Sequence, residues 1–136
     1  DGRKMSKSYN NSIYLSDEGE PLRQKIMTMM TDPARKRRDD KGNPDACPAY
    51  DLHKIFSSDE ELLWAAEGCK SAEIGCVDCK KTLHQNLVEH LGPIQERRRK
   101  LLQNQETILD ILEEGGRKAR EEARKTLDEA KIAMHL

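Results

Sequence analysis

The feature that most constrains how this chain can fold is a set of four cysteines confined to residues 47–79. Cys47, Cys69, Cys76 and Cys79 follow the spacing C-x21-C-x6-C-x2-C. The closing C-x2-C places two sulfurs on one turn, a third comes from just upstream, and the fourth returns from a distant loop. Four thiolates that converge on one point suit Zn²⁺ or an iron–sulfur cluster, because these soft centres prefer sulfur ligands.

Two other arrangements of the cysteines remain open on sequence grounds. They could pair as disulfides, or they could be four separately buried thiols. Clustered cysteines in a chain without a secretory signal favour ligation over disulfides. The four histidines show no ligand-like spacing, so we expect them on the surface or at helix caps: His53, His84, His90 and His135.

The composition indicates one largely helical, well-solvated domain. Among 136 residues, 36% are charged and only 4% are aromatic, and the formal net charge of −1 excludes a global basic field. Basic runs at residues 35–38 and 97–100 are typical of solvated faces. No apolar run approaches a membrane span and no signal peptide is visible, so we expect a cytoplasmic protein. The start at Asp1-Gly2, without Met, looks like a cut inside a longer protein.

Hydrophobic spacing predicts an all-α fold. We expect helices over Pro21–Thr31 and Tyr50–Phe56, separated by a long irregular loop, 34–48, that the cysteine site closes. A capping box at Ser58 begins the next helix, which we expect to end at Gly68. A further helix opens at Cys76. We expect it to be interrupted or kinked at Gly92-Pro93, and we expect a break at Gly115-Gly116 before a final helix over 117–134.

The polar stretch DGRKMSKSYNN, residues 1–11, is the most informative run for function. It is a glycine-led loop with two lysines three positions apart and hydroxyl groups between and after them. Such a loop can bring ammonium groups onto a polyphosphate while hydroxyl and backbone groups donate further hydrogen bonds. It lacks the spacing of a Walker loop. The residues alone leave a phosphate-binding loop and a plain surface loop equally open.

Residues 4–8 match letter for letter the KMSKS signature of class I aminoacyl-tRNA synthetases, and the run through Asn11 resembles the bacterial tryptophanyl-tRNA synthetases. Thr31-Asp32-Pro33, the basic run after it, Gly42-Asn43-Pro44 and Cys47-Pro48 resemble the same family. A subset of that family carries a four-cysteine site for a 4Fe–4S cluster with a C-x6-C-x2-C close. The first cysteine gap here is about one residue shorter than in that pattern, a difference that a loop can absorb.

The resemblance implies a division of the chain and its chemistry. Residues 1–16 would be the KMSKS loop of a truncated nucleotide-binding domain, and residues 17–136 the C-terminal helical, anticodon-binding bundle. By this resemblance, the complete enzyme would be a homodimer that activates tryptophan with ATP and magnesium and transfers it to its tRNA. Lys4 and Lys7 would be catalytic. The ATP-contacting set would be Lys4, Met5, Ser6, Lys7 and Ser8.

The same resemblance assigns a 4Fe–4S cluster, with zinc as the alternative, to the four cysteines. In the family, the nucleotide-binding sheet and the HIGH motif precede the KMSKS loop, and neither is present here, so we expect the chain alone to be inactive. Lysines that flank the cysteines, together with the first basic run, are the candidate tRNA contacts. That set is Arg35, Lys36, Arg37, Arg38, Lys70, Lys80 and Lys81.

One reading from another class competes with this one. The chain could be a free-standing, four-cysteine metal-binding helical module that binds RNA or a protein partner without catalysis, with an accidental KMSKS match. A tyrosyl-tRNA synthetase is a lesser rival within the family class, and the cysteine pattern argues against it.

Overall fold

The computed structural model describes all of residues 1–136, and its regular structure is entirely helical. Short 3₁₀ turns occur at Lys7–Tyr9 and Pro44–Ala46, and no strand forms, which confirms the all-α prediction. None of the helices combines the length and the apolar character that crossing a membrane requires. The five α-helices are α1 (Gly19–Thr28), α2 (Pro48–Phe56), α3 (Asp59–Ser71), α4 (Cys76–Gln103) and α5 (Gln105–Ala133).

The chain divides into two compact units, Asp1–Gln95 and Glu96–Leu136. The hydrophobic core lies in the first unit, where α1, α2 and α4 bury one apolar stripe each. Its buried members are Leu22, Ile26, Cys47, Ala49, Leu83, Leu87 and Leu91. The leucines of α4 recur every four residues, so one face of that helix is apolar as the spacing predicts.

The start of α3 agrees with the sequence prediction, and its end does not. Ser58 Oγ accepts from the Glu61 N–H while the Glu61 carboxylate accepts from the Ser58 N–H, which confirms the capping box. The helix continues past Gly68 to Ser71 and ends at Ala72, whose φ of 64° is left-handed. Gly68 instead allows the Ile74 side chain to pack directly against the backbone of α3, because an added Cβ would lie 2.8 Å from Ile74 Cγ2.

Helix α1 ends earlier than predicted, at Thr28 instead of Thr31. The Lys80 ammonium, on α4, donates to the carbonyl oxygens of Met27 and Met29 at 2.9 and 2.5 Å. The last carbonyls of a helix have no partner within the helix, so a cation from another element can satisfy them. This cap comes from a residue more than fifty positions away, so local sequence could not predict it.

The predicted interruption at Gly92-Pro93 does not occur, because α4 continues through Pro93. Proline inside a helix removes one backbone hydrogen bond and costs about 3 kcal/mol. Leu91 and Gln95 are buried on either side of it, and Gln95 Nε2 donates to the carbonyl oxygens of Leu15 and Asp17. These tertiary contacts hold both sides of the proline in helical register.

The second unit consists of the end of α4 and all of α5. The predicted break at Gly115-Gly116 is wrong, because α5 is continuous from Gln105 to Ala133. The Arg117 guanidinium pairs with the carboxylates of Glu114 and Glu121, and Asn104 caps the first turn. Each such pair adds only a few tenths of a kcal/mol, but ending and restarting a helix would require a second costly nucleation.

Candidate functional site

The KMSKS loop is held in shape by one side chain, that of Asn11. Its Oδ1 accepts from the Ser6 N–H at 2.7 Å, and its Nδ2 donates to the Asp1 carboxylate and to the Lys4 carbonyl. Ser6 in turn caps the 3₁₀ turn Lys7–Tyr9, since its Oγ accepts from the Ser8 N–H at 3.3 Å. The loop is therefore folded by its own polar groups.

The two lysines of the signature lie on the open side of this loop. Lys4 and Lys7 are both exposed, and neither ammonium donates to another group of the chain. By contrast, Arg3 is occupied, because it pairs with Asp1 and its guanidinium lies 4.4 Å from the centre of the Tyr9 ring. Lys4 and Lys7 are thus the cations of the loop that remain available to a polyphosphate.

The segment after the signature is tied to the helical core through Lys25. Its ammonium donates to Asp17 Oδ2 at 2.6 Å and to the Ser12 carbonyl at 3.0 Å, and it lies 4.2 Å from the centre of the Tyr14 ring. Asp17 Oδ2 also accepts from the Tyr14 N–H. With the Gln95 contacts described above, these bonds connect the loop to α1 and α4.

A cleft of about 400 Å³ lies between the loop and the ends of α1 and α2. The loop contributes Met5 and Tyr9 to its wall, α1 contributes Thr28, and α2 contributes Leu52. Its volume falls within the range of small-molecule sites.

The structure places the four predicted ligands around one cavity, but it does not arrange them as a metal site. Cys47, Cys69, Cys76 and Cys79 all line one small cavity, and none of them is in a disulfide. Cys47 lies between the second 3₁₀ turn and α2, Cys69 is in the last turn of α3, and the other two form the opening turn of α4. No carboxylate lines the cavity, whose remaining wall is mostly apolar.

A glycine allows the irregular loop to reach this cavity. The Gly42 N–H donates to the Cys69 carbonyl at 3.0 Å. A Cβ added at Gly42 would lie 2.5 Å from Cys69 Sγ and 3.1 Å from Arg35 Cδ. A side chain at this position would require the sulfur to move, so Gly42 allows the loop to lie directly against it.

Two of the four thiols have a raised pKa in this setting. Burial, and then the other three cysteines, raise the pKa of Cys79 to about 12. Burial also raises the pKa of Cys69, and the Arg35 guanidinium opposes that rise. Metal ligation by thiols requires deprotonation, so loading such a site releases protons and depends on pH.

The donor set fits a thiolate-bound metal or cluster, although the side chains are not yet arranged around one. No three His, Cys, Asp or Glu side chains are placed so that they could hold a metal ion as they stand. The cavity measures about 20 Å³, which is about the space of one water molecule. Binding a single ion or a four-iron cluster would therefore require the four thiol side chains to rearrange.

His53 corrects the prediction that the histidines lie on the surface or at caps. Its side chain is 0% exposed. Nε2 lies 3.1 Å from the Cys79 carbonyl oxygen and Nδ1 lies 2.6 Å from Ser57 Oγ, so Nε2 carries the proton and Nδ1 accepts from the hydroxyl. Burial lowers the pKa of His53, because desolvation disfavours the charged ring. His53 therefore joins α2 to the turn that holds Cys79.

The predicted tRNA-contacting set divides in two. Arg35 and Lys80 are each only 8% exposed, because Arg35 is buried at the cysteine cavity and Lys80 caps α1. Neither presents its charge on the surface, which corrects the idea that all seven cations form one exposed patch. The members that are exposed are Lys36, Arg37, Arg38, Lys70 and Lys81.

Several residues of the site carry no sequence signal strong enough to find them. Asn11, Lys25 and Gln95 are ordinary polar residues until the fold places them beside the loop. Gly42 is the exception, because a glycine two residues before a proline marks a turn in the backbone. That signal predicts a turn, and only the structure shows the sulfur behind it.

The comparisons with known proteins identify the family. The family model described as tRNA synthetases class I (W and Y) matches residues 1–92. The chain is 51% identical, over its whole length, to the tryptophan–tRNA ligase of Thermotoga maritima and 47% identical to that of Aquifex aeolicus. It covers 42% and 35% of those relatives, so it spans about two fifths of their length.

A solved structure shows the same fold. The tryptophanyl-tRNA synthetase of Campylobacter jejuni, in complex with ADP and tryptophan, aligns with a TM-score of 0.84 at 24% identity and covers 100% of this chain and 42% of that chain. At that identity the likeness establishes the fold alone. Since the family model matches more than half of the residues, this chain belongs to the class I tRNA synthetases of the tryptophan and tyrosine family.

Proposed function

We propose that this chain supplies the KMSKS loop and the helical C-terminal region of a tryptophan–tRNA ligase, which activates tryptophan with ATP and magnesium and transfers it to its tRNA. The observation that carries the proposal is the 51% identity to the Thermotoga maritima ligase along the entire chain. In this assignment, residues 1–16 belong to the catalytic part and residues 17–136 to the anticodon-binding part. The intact ligase would be cytoplasmic and act as a homodimer.

The loop would act by placing positive charge where the reaction generates negative charge. When the carboxylate of tryptophan attacks the α-phosphate of ATP, pyrophosphate leaves and gains charge. Lys4 and Lys7 are exposed and unpaired, so they can turn toward that leaving group. Met5, Ser6 and Ser8 would shape the loop around the nucleotide. Preorganised charge of this kind stabilises the transition state more than the ground state.

The test replaces Lys7 with Ala in the full-length ligase that contains this chain. We expect kcat for tryptophan-dependent ATP–pyrophosphate exchange to fall by about 10²–10³, while tryptophan binding changes little. Lys131→Ala, an exposed lysine near the end of α5, is the matched control and should leave kcat unchanged. An unchanged kcat for Lys7→Ala would remove Lys7 from its proposed role.

The proposal includes a 4Fe–4S cluster held by Cys47, Cys69, Cys76 and Cys79, with zinc as the alternative occupant. Its support is the donor set, because four thiols line one cavity that contains no competing carboxylate. A centre closed by four protein ligands supplies a structural cross-link with no open coordination position. It would join the irregular loop to the end of α3 and the start of α4.

Metal analysis of anaerobically prepared protein separates the two occupants. About four irons per chain and a brown colour would support the cluster, and about one zinc in colourless protein would replace it with the alternative. Cys76→Ser should reduce the bound metal and lower the melting temperature, with activation retained in the full-length ligase. Loss of activation while residues 47–79 stay folded would make the site catalytic and contradict the structural role.

The exposed cations near the cysteines are the proposed contacts for tRNA phosphates. Lys70 and Lys81 lie on either side of the turn between α3 and α4, and both are exposed. Each lost phosphate contact reduces the slope of the logarithm of the binding constant against the logarithm of the salt concentration by about one unit. Replacing both lysines with Gln should therefore weaken tRNA binding and reduce this slope by up to about two units. If affinity and slope both stay the same, these lysines are only a solvated face.

A further inference from the structure

Arg35 differs from the other residues of its basic run because its guanidinium is buried at the cavity of the four cysteines. Only 8% of the residue is exposed, whereas Lys36, Arg37 and Arg38 are all exposed. Its Nη2 donates to the carbonyl oxygens of Arg38 and Ile74, each at 2.7 Å, and its Nη1 lies 3.8 Å from Cys69 Sγ.

The remaining nitrogen of the guanidinium group, Nε, has no hydrogen-bond acceptor. Arg35 Nε is buried without a hydrogen-bond partner. The guanidinium also forms no ion pair with any carboxylate of the chain. A buried charge without a partner costs several kcal/mol, and a buried donor left unpaired costs about 1–3 kcal/mol. The Asp32 carboxylate is close enough for the guanidinium to lower its pKa but forms no ion pair with it, so the Arg35 Nε–H still lacks an anionic acceptor.

The four cysteines supply that anion once they are ionised. Four thiolates carry more negative charge than a divalent ion or a cluster core returns, so a loaded site stays negative overall. Donors to the sulfurs and nearby charge help to set the stability and the reduction potential of such a site. Arg35 lines the same cavity as all four sulfurs, so it is placed to balance this charge.

We propose that Arg35 is the internal counter-cation of the four-thiolate site and that its unpaired Nε–H and its Nη1–H donate to sulfur atoms of the loaded site. This inference rests on the proposed function in one respect, namely that the four cysteines hold a metal or cluster. Arg35 is a positioning residue, because it acts on the site through the sulfurs.

The test compares Arg35→Gln, Arg35→Lys and Arg37→Gln in the full-length protein, after anaerobic reconstitution with ferrous iron and sulfide and, separately, with Zn²⁺ alone. Arg37→Gln is the matched control, since it removes an exposed cation from the same run. For Arg35→Gln we expect a more negative reduction potential, because an added electron is no longer offset by the cation. Zinc affinity from chelator competition should fall by about 10–100-fold.

Arg35→Lys keeps the charge but loses the Nε–H donor, so its potential and zinc affinity should lie between those of the wild type and Arg35→Gln. Where Arg35→Gln does not fold, the lysine variant carries the test. If both Arg35 variants had the reduction potential and zinc affinity of the wild type, the counter-cation role of Arg35 would be overturned and the cysteine site would stand. A wild-type protein that takes up neither iron nor zinc would overturn the site itself and this inference with it.

Discussion

Replacing Gly42 with Ala tests how tightly the irregular loop is packed against the sulfur of Cys69. The added Cβ would lie 2.5 Å from Cys69 Sγ and 3.6 Å from the Cys69 carbonyl oxygen. Unstrained contacts between heavy atoms lie near 3.5–4.0 Å, so the sulfur must move by about 1 Å. The backbone itself tolerates alanine, since Gly42 is not among the glycines with positive φ.

The cost of this change depends on whether a metal holds the sulfur. A free thiol can rotate away, so the metal-free protein should lose little stability. A sulfur held by a metal cannot rotate, and overpacking then costs about 1–3 kcal/mol. That cost corresponds to a loss of about 5- to 150-fold in metal affinity.

Chelator competition measures the metal affinity, and urea unfolding of the metal-free protein measures the stability. Gly115→Ala is the matched control, because nothing lies within 4 Å of its added Cβ. It sits inside α5, so it should leave metal affinity unchanged and stabilise the helix by up to about 1 kcal/mol. Wild-type metal affinity in Gly42→Ala would refute the packing of Gly42 against a ligating sulfur.

Three further predictions concern stability and the loop. Leu83→Ala should lower the free energy of unfolding in urea by about 2–5 kcal/mol, whereas the exposed Leu109→Ala should change it by less than about 0.5 kcal/mol. Two backbone N–H groups lower the pKa of Asp32. The ionised Asp32 carboxylate therefore adds to the free energy of unfolding at neutral pH, and this contribution disappears as the pH falls through the lowered pKa. The difference in the free energy of unfolding between the wild type and Asp32→Asn should accordingly vanish in acid. A difference that does not change with pH would contradict this role of the Asp32 carboxylate. Asn11→Ala should lower kcat for pyrophosphate exchange in the full-length ligase by roughly 5- to 150-fold, since its two shorter hydrogen bonds, to the Ser6 N–H and the Asp1 carboxylate, contribute about 0.5–1.5 kcal/mol each.

The sequence predicts those features whose causes lie within a few residues along the chain. The Ser58 capping box, the opening of α4 at Cys76 and the leucine stripe of α4 all follow from spacing alone. The KMSKS match and the cysteine spacing likewise pointed to residues that the structure places on an open loop and around one cavity.

Several of the wrong predictions have a different cause. A glycine or proline carries only a local preference, worth about 1–3 kcal/mol, and contacts elsewhere can exceed it. Gln95 holds α4 in register beyond Pro93, and Lys80 ends α1 from a distant helix. Burial of His53 likewise depends on a partner 26 positions away, the Cys79 carbonyl.

By itself, then, the sequence determined the helical class and the family, and it predicted which residues would ligate a metal or bind phosphate. The tertiary structure alone decided which charges reach the solvent. Lys36 and Arg35 are adjacent and both cationic, yet only Lys36 is exposed. A side chain's chemistry is set by its own atoms, but its desolvation and its partners depend on which distant segments the fold brings beside it.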